Sequence, residues 1–270
     1  MKQSGGYVKL SSQVHLYNFT VKSSVEVAEG IWKMQIVSAE LASTLKAGQF
    51  INIEVPHDRS QLLRVPLSFS AVDPADGLIE LAVAVIGDGT RGLVAMREAE
   101  TSTVVGPCGH GWDMPTDSQG SVLLVSGGIG VAPLVAAAAE LAKRSMSITA
   151  IVGAQSASRL WGTDELAALG AHVLITTDDG SCGRHGFTTD AMKEMDLSTF
   201  SQVMTCGPAP MMAGVAQIAR KAGIKAQASL ERMMTCGFGA CHSCNVAMAD
   251  GGYKFCCSDG PVFDTREVAW

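Results

Sequence analysis

Cys236, Cys241 and Cys244 stand at a C-x4-C-x2-C spacing, and the pair Cys256/Cys257 follows close behind. Three thiolates from one tight loop suit one side of an iron–sulfur cluster, and a fourth must come from a segment that folds back onto it. Asp250-Gly251-Gly252 is turn chemistry between Asn245–Ala249 and Tyr253–Cys257, so a hairpin is expected to return the last thiol to the loop. Gly237 and Gly239, with the small Ala240, leave backbone N–H groups free to approach cluster sulfides. Structural zinc is the competing reading, but zinc ribbons usually show two C-x2-C knuckles and this chain has one, extended upstream. A disulfide framework is disfavoured: Met1-Lys2-Gln3-Ser4-Gly5-Gly6 contains no apolar run of a secretory signal, so a cytoplasmic protein is expected.

The elements that position these thiols fall into two rhythms. With 270 residues, 47% of them apolar, the chain is long enough for two cores plus a cysteine-rich appendage. From Tyr17 to Pro107, short alternating segments (Val21–Val27, Ile31–Ile36, Gln49–Val55, Arg64–Ser70, Leu78–Val85, Ser102–Val105) predict an antiparallel β-barrel. From Ser121, continuous apolar strands alternate with helical stretches: Val122–Ser126, Ala132–Arg144, Ile148–Val152, Asp164–Leu169, His172–Thr176, Thr189–Glu194, Gln202–Cys206 and Met211–Ala222. That alternation predicts a parallel sheet covered by helices on both faces. The expected fold is therefore two-domain β + α/β: a barrel over 14–114, an α/β domain over 120–228 and a small cysteine-rich segment over 229–270, with Met114–Gln119 as the linker. A formal charge of -6 and no visible basic stripe argue against nucleic acid. The apolar run Val122–Leu141 is interrupted by Gly127, Gly128, Gly130 and Pro133, so no membrane span is expected.

Several glycine turns have phosphate-binding potential. Gly127-Gly128-Ile129-Gly130-Val131-Ala132-Pro133 links a buried strand to a helix, where free N–H groups and the helix dipole can hold a pyrophosphate. The same string would serve a turn needed only for strand–helix packing. Cys206-Gly207-Pro208 ends a later strand at the same carboxyl edge, where such sheets bind ligands. In the barrel half, Arg64 and Ser68 share a strand face with Pro66 and Leu67 between them, two anchors for phosphate and ring. Gly87-Asp88-Gly89-Thr90 then enters a short helix. A surface arginine and a plain hairpin turn are the alternatives for those two strings.

Their order resembles the ferredoxin–NADP reductase superfamily, a flavin-binding barrel followed by a nicotinamide-nucleotide domain. Thr177-Asp178-Asp179-Gly180-Ser181, Glu231-Arg232-Met233-Met234 with the cysteine loop, and Cys257-x-Asp259-Gly260-Pro261-Val262-Phe263 resemble more specifically the electron-transfer subunits of dihydroorotate dehydrogenase B. The resemblance implies that Arg64, Pro66, Leu67 and Ser68 hold FAD and that Gly87, Gly89 and Thr90 contact its phosphates. It further implies that Gly127, Gly128, Gly130 and Pro133 with Cys206, Gly207 and Pro208 form the nicotinamide side. The Asp-Gly-Pro-Val-Phe register selects Cys257 over Cys256 as the fourth ligand of a [2Fe-2S] cluster, and adjacent strand residues point to opposite faces, so only one should ligate. Cys108 and Cys182 are left as packing thiols and His242 as an exposed side chain.

The resemblance also implies an oxidoreductase subunit that passes electrons between NAD(H) and a partner FMN-containing dihydroorotate dehydrogenase in pyrimidine biosynthesis, in a hetero-oligomer. Hydride transfer between a nicotinamide and a flavin needs position and no acid–base pair, so no catalytic residue is nominated. Related reductase subunits serve sulfide or sulfite enzymes, glutamate-synthase-like proteins and bifurcating transhydrogenases, and these partners stay open. A zinc-stabilised interaction module is the reading from another class. NADP also stays open, because Gln155-Ser156-Ala157-Ser158-Arg159 offers an arginine and no acid after its strand.

Overall fold

The structure is a computed structural model, and it describes residues 14–56, 61–116 and 120–270. Met1–Gly6 and the end of the expected linker lie outside the described residues.

The first half is one antiparallel sheet of seven strands: β1 (His15–Ala28), β2 (Ile31–Val37), β3 (Phe50–Ile53), β4 (Val65–Ser68), β5 (Ala71–Asp73), β6 (Leu78–Ala84) and β7 (Thr101–Cys108), in the order β4-β3-β7-β1-β2-β6-β5. Edge strand β4 comes round to touch β6, which curls the sheet into the expected barrel. Period-2 alternation turns Phe19, Val21, Met34, Ile36, Ile51, Ile53, Ile79, Leu81 and Val83 inward as its core. Two short helices, α1 (Ala39–Ala42) and α2 (Asp88–Val94), close its ends.

The second half is a seven-stranded sheet: β8 (Ser121–Gly127), β9 (Ser147–Ala154), β10 (His172–Thr177), β11 (Arg184–His185), β12 (Gln202–Cys206), β13 (Lys225–Ser229) and β16 (Val262–Asp264). Its order is β11-β10-β9-β8-β12-β13-β16, parallel throughout except for β16. Helices α3 (Val131–Lys143), α4 (Thr163–Ala168), α5 (Thr188–Lys193) and α6 (Ala209–Ala222) connect the strands. β8 is apolar on both faces because α3 covers one and α5 packs on the other. α3 is apolar around most of its circumference for a second reason. Leu134, Ala137, Ala138 and Leu141 pack on the sheet, while Ala136 joins the barrel core. Ile31, Ala82 and Trp112 of the barrel half in turn enter the core of the sheet, so the two halves meet over a shared apolar seam.

Four strands were not expected from the sequence: the short β5 and β11, and β13 and β16. Lys225-Ala226-Gln227-Ala228-Ser229 has no β-branched or aromatic residue, so its composition hides the buried strand β13. β16 comes from the cysteine-rich segment and pairs antiparallel with β13, which ties that segment to the nucleotide sheet. The expected hairpin is present as β14 (Asn245–Ala247) and β15 (Tyr253–Phe255). Among the described residues, no helix is long and apolar enough to cross a membrane.

Candidate redox site

The hairpin returns Cys257 to the loop: its Sγ lies 3.3 Å from Cys244 Sγ and accepts an N–H bond from Gly239 at 3.1 Å. Gly239 N–H thus reaches a thiol sulfur. Cys241, at the exposed edge, lies 3.2 Å from the Ser243 hydroxyl. Cys244 and Cys257 thus form a close buried pair, with Cys241 on the rim of the same loop. One knuckle extended upstream, completed by a single thiol that a hairpin returns, suits a two-iron rhomb better than a mononuclear zinc site.

Proton affinity sorts the thiols in the same way. Ser243, followed by backbone N–H groups, pulls Cys241 down to about 6, and the hydrogen bond shared with Cys257 pulls Cys244 down to about 6. Cys257 is pushed up by that same hydrogen bond and by burial. Metal ligation needs thiolates, so the environment of Cys241 and Cys244 favours the ligating form. Cys256 behaves differently: burial pushes it up to about 12, and its sulfur turns away to the carbonyl of Leu230 at 3.6 Å. Cys108 is likewise driven up to about 12 by burial and by the neighbouring Cys236 and Cys244. Both are buried apolar thiols, as expected for Cys108, whereas Cys182 is half-exposed in a turn. His242 is exposed and stacks on Phe255 with ring centroids 4.2 Å apart.

An apolar cluster fixes this segment to both halves of the molecule. Phe50 and Cys108 of the barrel, Met212 and Ala228 of the nucleotide half, and Leu230, Met234, Val246, Cys256 and Phe263 of the segment pack together.

The strand expected to hold the flavin is β4, and its side chains Val65 to Ser68 are half-buried. Arg64 precedes it and is tied down by its Nη1 donating to the Thr103 carbonyl at 2.9 Å and its Nη2 to the Thr103 hydroxyl at 2.8 Å, with Glu54 at 3.4 Å. The guanidinium is oriented in advance of any ligand. Gly89 sits where α2 meets β4: a Cβ there would approach Val65 Cγ2 to 2.9 Å. Thr90 is buried, and its hydroxyl accepts from the N–H groups of Ile86 and Gly87 and donates to the Gly87 carbonyl, so it shapes the turn. Open space lies in front of Gly87. Leu62 and Ile86, each 88% exposed, flank this face and offer an uncovered apolar bed of the kind an isoalloxazine requires.

On the nucleotide side, two sequence-distant turns interlock. A Cβ on Gly130 would strike the Cys206 carbonyl oxygen at 2.4 Å, and one on Gly207 would meet the Gly127 nitrogen at 2.9 Å. Gly130, Pro133 and Cys206 are buried behind the surface as packing, while Gly127, Gly128 and Pro208 line a cleft of about 670 Å³. Exposed Phe187 and half-buried Met211 also line it, together with Val85 and Ile86 at the end of the barrel strand that leads to α2. The cleft therefore reaches from the nucleotide turn to the flavin face. A larger groove, about 1360 Å³, lies between the Cys257–Asp259 turn, the barrel and α3, and the flavin anchors are not among its walls.

Residues 231–269 match the iron–sulfur cluster binding domain of dihydroorotate dehydrogenase B, and residues 124–217 match the oxidoreductase NAD-binding domain. The electron transfer subunit of dihydroorotate dehydrogenase B (NAD(+)) from Streptococcus pneumoniae is 36% identical over 258 residues, 94% of this chain and 99% of its own length. The chain belongs to the dihydroorotate dehydrogenase B electron-transfer subunit family. Its counterpart from Fusobacterium nucleatum is 32% identical over 92% of this chain and 96% of its own. A solved chain from the study of an NADH-dependent reduced ferredoxin-NADP oxidoreductase, described as a flavin-based electron-bifurcating system, superposes with a TM-score of 0.84 at 33% identity, covering 93% of this chain and 89% of that one.

Within the dihydroorotate dehydrogenase B subunit framework, the matched segment 231–269 contains Cys236, Cys241, Cys244 and Cys257, the hairpin and β16. Sequence reasoning passed over Glu29, in the β1–β2 turn. Its carboxylate accepts from the Ser158 hydroxyl at 2.6 Å and lies 3.9 Å from Arg159, while its backbone N–H donates to the Ser158 carbonyl at 2.8 Å. The acid missing after the second nucleotide strand is supplied by the barrel, from 129 residues away in sequence.

Proposed function

We propose that the protein passes electrons between NAD(H) and a partner subunit by way of FAD, held on β4 and the Gly87–Thr90 turn, and a [2Fe-2S] cluster, held by Cys236, Cys241, Cys244 and Cys257. The partner is the FMN-containing dihydroorotate dehydrogenase of pyrimidine biosynthesis, and the pair works as a cytoplasmic hetero-oligomer. The observation that carries this reading is the return of Cys257 to within 3.3 Å of Cys244 in the cysteine loop, beside a flavin face and a nucleotide cleft that communicate. Together these cofactors convert a two-electron hydride into single electrons.

The chain's own residues supply position. Arg64, already held by Thr103, meets the anionic part of the flavin without reorganising, and Gly127 and Gly128 bring the start of α3 close to the nucleotide pyrophosphate. Phe238 and Tyr253, exposed on the cysteine-rich segment, provide apolar surface for the partner. Anaerobic purification of the complex from its native cell tests the reading: iron, acid-labile sulfide and FAD are expected with a co-purified FMN subunit, and dihydroorotate should bleach the flavin. The superposition on the chain from the electron-bifurcating system favours a second reading, a transhydrogenase partner. Bleaching by NADH with no response to dihydroorotate would select it.

Glu29 supports NAD over NADP. Ser158 and Arg159 are the groups available to greet a 2′-phosphate, and both face a carboxylate that would repel it. Glu29→Gln is expected to improve kcat/KM for NADPH relative to NADH by roughly tenfold, equivalent to about 1.4 kcal/mol. An unchanged ratio in steady-state assays with both nucleotides would remove Glu29 from the selection.

A further inference from the structure

Asn52 lies on β3 between Ile51 and Ile53, which face the barrel core, so its own side chain points out of the barrel. It is nevertheless 0% exposed, and among the described residues neither its Nδ2 nor its Oδ1 has a hydrogen-bond partner. A buried polar group left unpaired costs about 1–3 kcal/mol, so an orphaned carboxamide marks a place where a partner is expected. Two neighbours locate that partner. A Cβ on Gly237, the residue after Cys236, would stand 2.9 Å from Asn52 Nδ2. Across the strand pair, Asn52 is opposite Pro66 of the flavin strand. Phe50, on the same face of β3, packs with Cys244 and Cys257.

We propose that Asn52 is a positioning residue beneath the cysteine loop, giving its amide N–H to a sulfur of the iron–sulfur cluster. The inference rests on the cluster assignment proposed above. Thiolate and sulfide sulfurs can only accept, so it is the N–H end, the one beside Gly237, that meets the loop. An N–H···S bond withdraws charge from the sulfur and favours the reduced cluster.

The test is an EPR-monitored redox titration of the complete holoprotein after its iron, sulfide and FAD have been quantified. Asn52→Leu removes the N–H and is expected to lower the cluster potential enough to shift the electron equilibrium about tenfold toward the flavin, 59 mV for a one-electron couple, with FAD content unchanged. Asn52→Asp keeps the shape but not the donor, so the cluster potential should still fall while iron and FAD contents match the wild type. Two results overturn the proposal: both variants fully loaded at the wild-type potential, or neither able to hold a cluster, which would reduce Asn52 to a filler of the loop. Wild-type protein that itself lacks iron or FAD would instead sink the cofactor assignments.

Discussion

Cys257→Ala is expected to yield a protein that still binds FAD and is still bleached by NADH, but that has lost its iron and acid-labile sulfide. Cys256→Ala, one residue away, is expected to keep both. The two thiols are equally buried, so burial does not distinguish them. Orientation does: Cys257 Sγ meets Cys244 Sγ and the Gly239 N–H, while Cys256 Sγ faces the Leu230 carbonyl. Loss of an outer hydrogen bond to a metal site typically costs roughly 10–100-fold in affinity, and loss of a direct ligand should cost more. Electron delivery to the partner should then vanish with the cluster, while diaphorase activity toward artificial acceptors survives, because the nucleotide cleft and flavin face share no side chain with the hairpin. Cys256→Ala removes only a packed sulfur, at about 1 kcal/mol of stability. Iron and sulfide analysis with a visible spectrum decides the matter: iron lost from the Cys256 variant and kept by the Cys257 variant would exchange their roles.

What the sequence disclosed depended on whether the relevant physics was local. The cysteine spacing, the Asp250-Gly251-Gly252 turn and the opposite facing of Cys256 and Cys257 are short-range properties, and the structure has them as expected. The alternation of β8, α3 and β9 was likewise visible, because the switch of hydrophobic period occurs within each element. β13 was hidden because an Ala- and Gln-containing strand owes its burial to α6 and β12 and not to its own propensity. Asn52 drew no notice within the Gln49–Val55 strand, because the segment that packs over it at Gly237 comes from the far end of the chain. Glu29 escaped notice for the same reason, since its partners Ser158 and Arg159 belong to the other half.

Gly130→Ala is expected to cut the rate of flavin reduction by NADH about 100-fold while leaving FAD and iron content unchanged. The added Cβ would lie 2.4 Å from the Cys206 carbonyl oxygen, 2.5 Å from its carbon and 2.7 Å from Gly207 Cα. All three are backbone atoms of the Cys206-Gly207-Pro208 turn, so no side chain can swing aside and the turn itself must retreat. Overpacking of this kind costs roughly 1–3 kcal/mol of stability. The functional loss is larger because Pro208 and Met211, displaced with the turn, line the cleft in which the nicotinamide must meet the flavin, and a shift of about 1 Å in such an arrangement can cost about 100-fold in rate. Gly170→Ala, in the turn between α4 and β10 and outside the cleft, is the control. Its φ of 82° strains an alanine by roughly 1–2 kcal/mol, but nothing lies within 4 Å of the added Cβ, so the two turns keep their fit. Stopped-flow reduction with NADH, set against reduction by dithionite, separates the cases: a Gly130 variant slow only with NADH has lost hydride geometry, whereas equal rates in both variants would mean that the interlock of the two turns does not set the position of the nicotinamide.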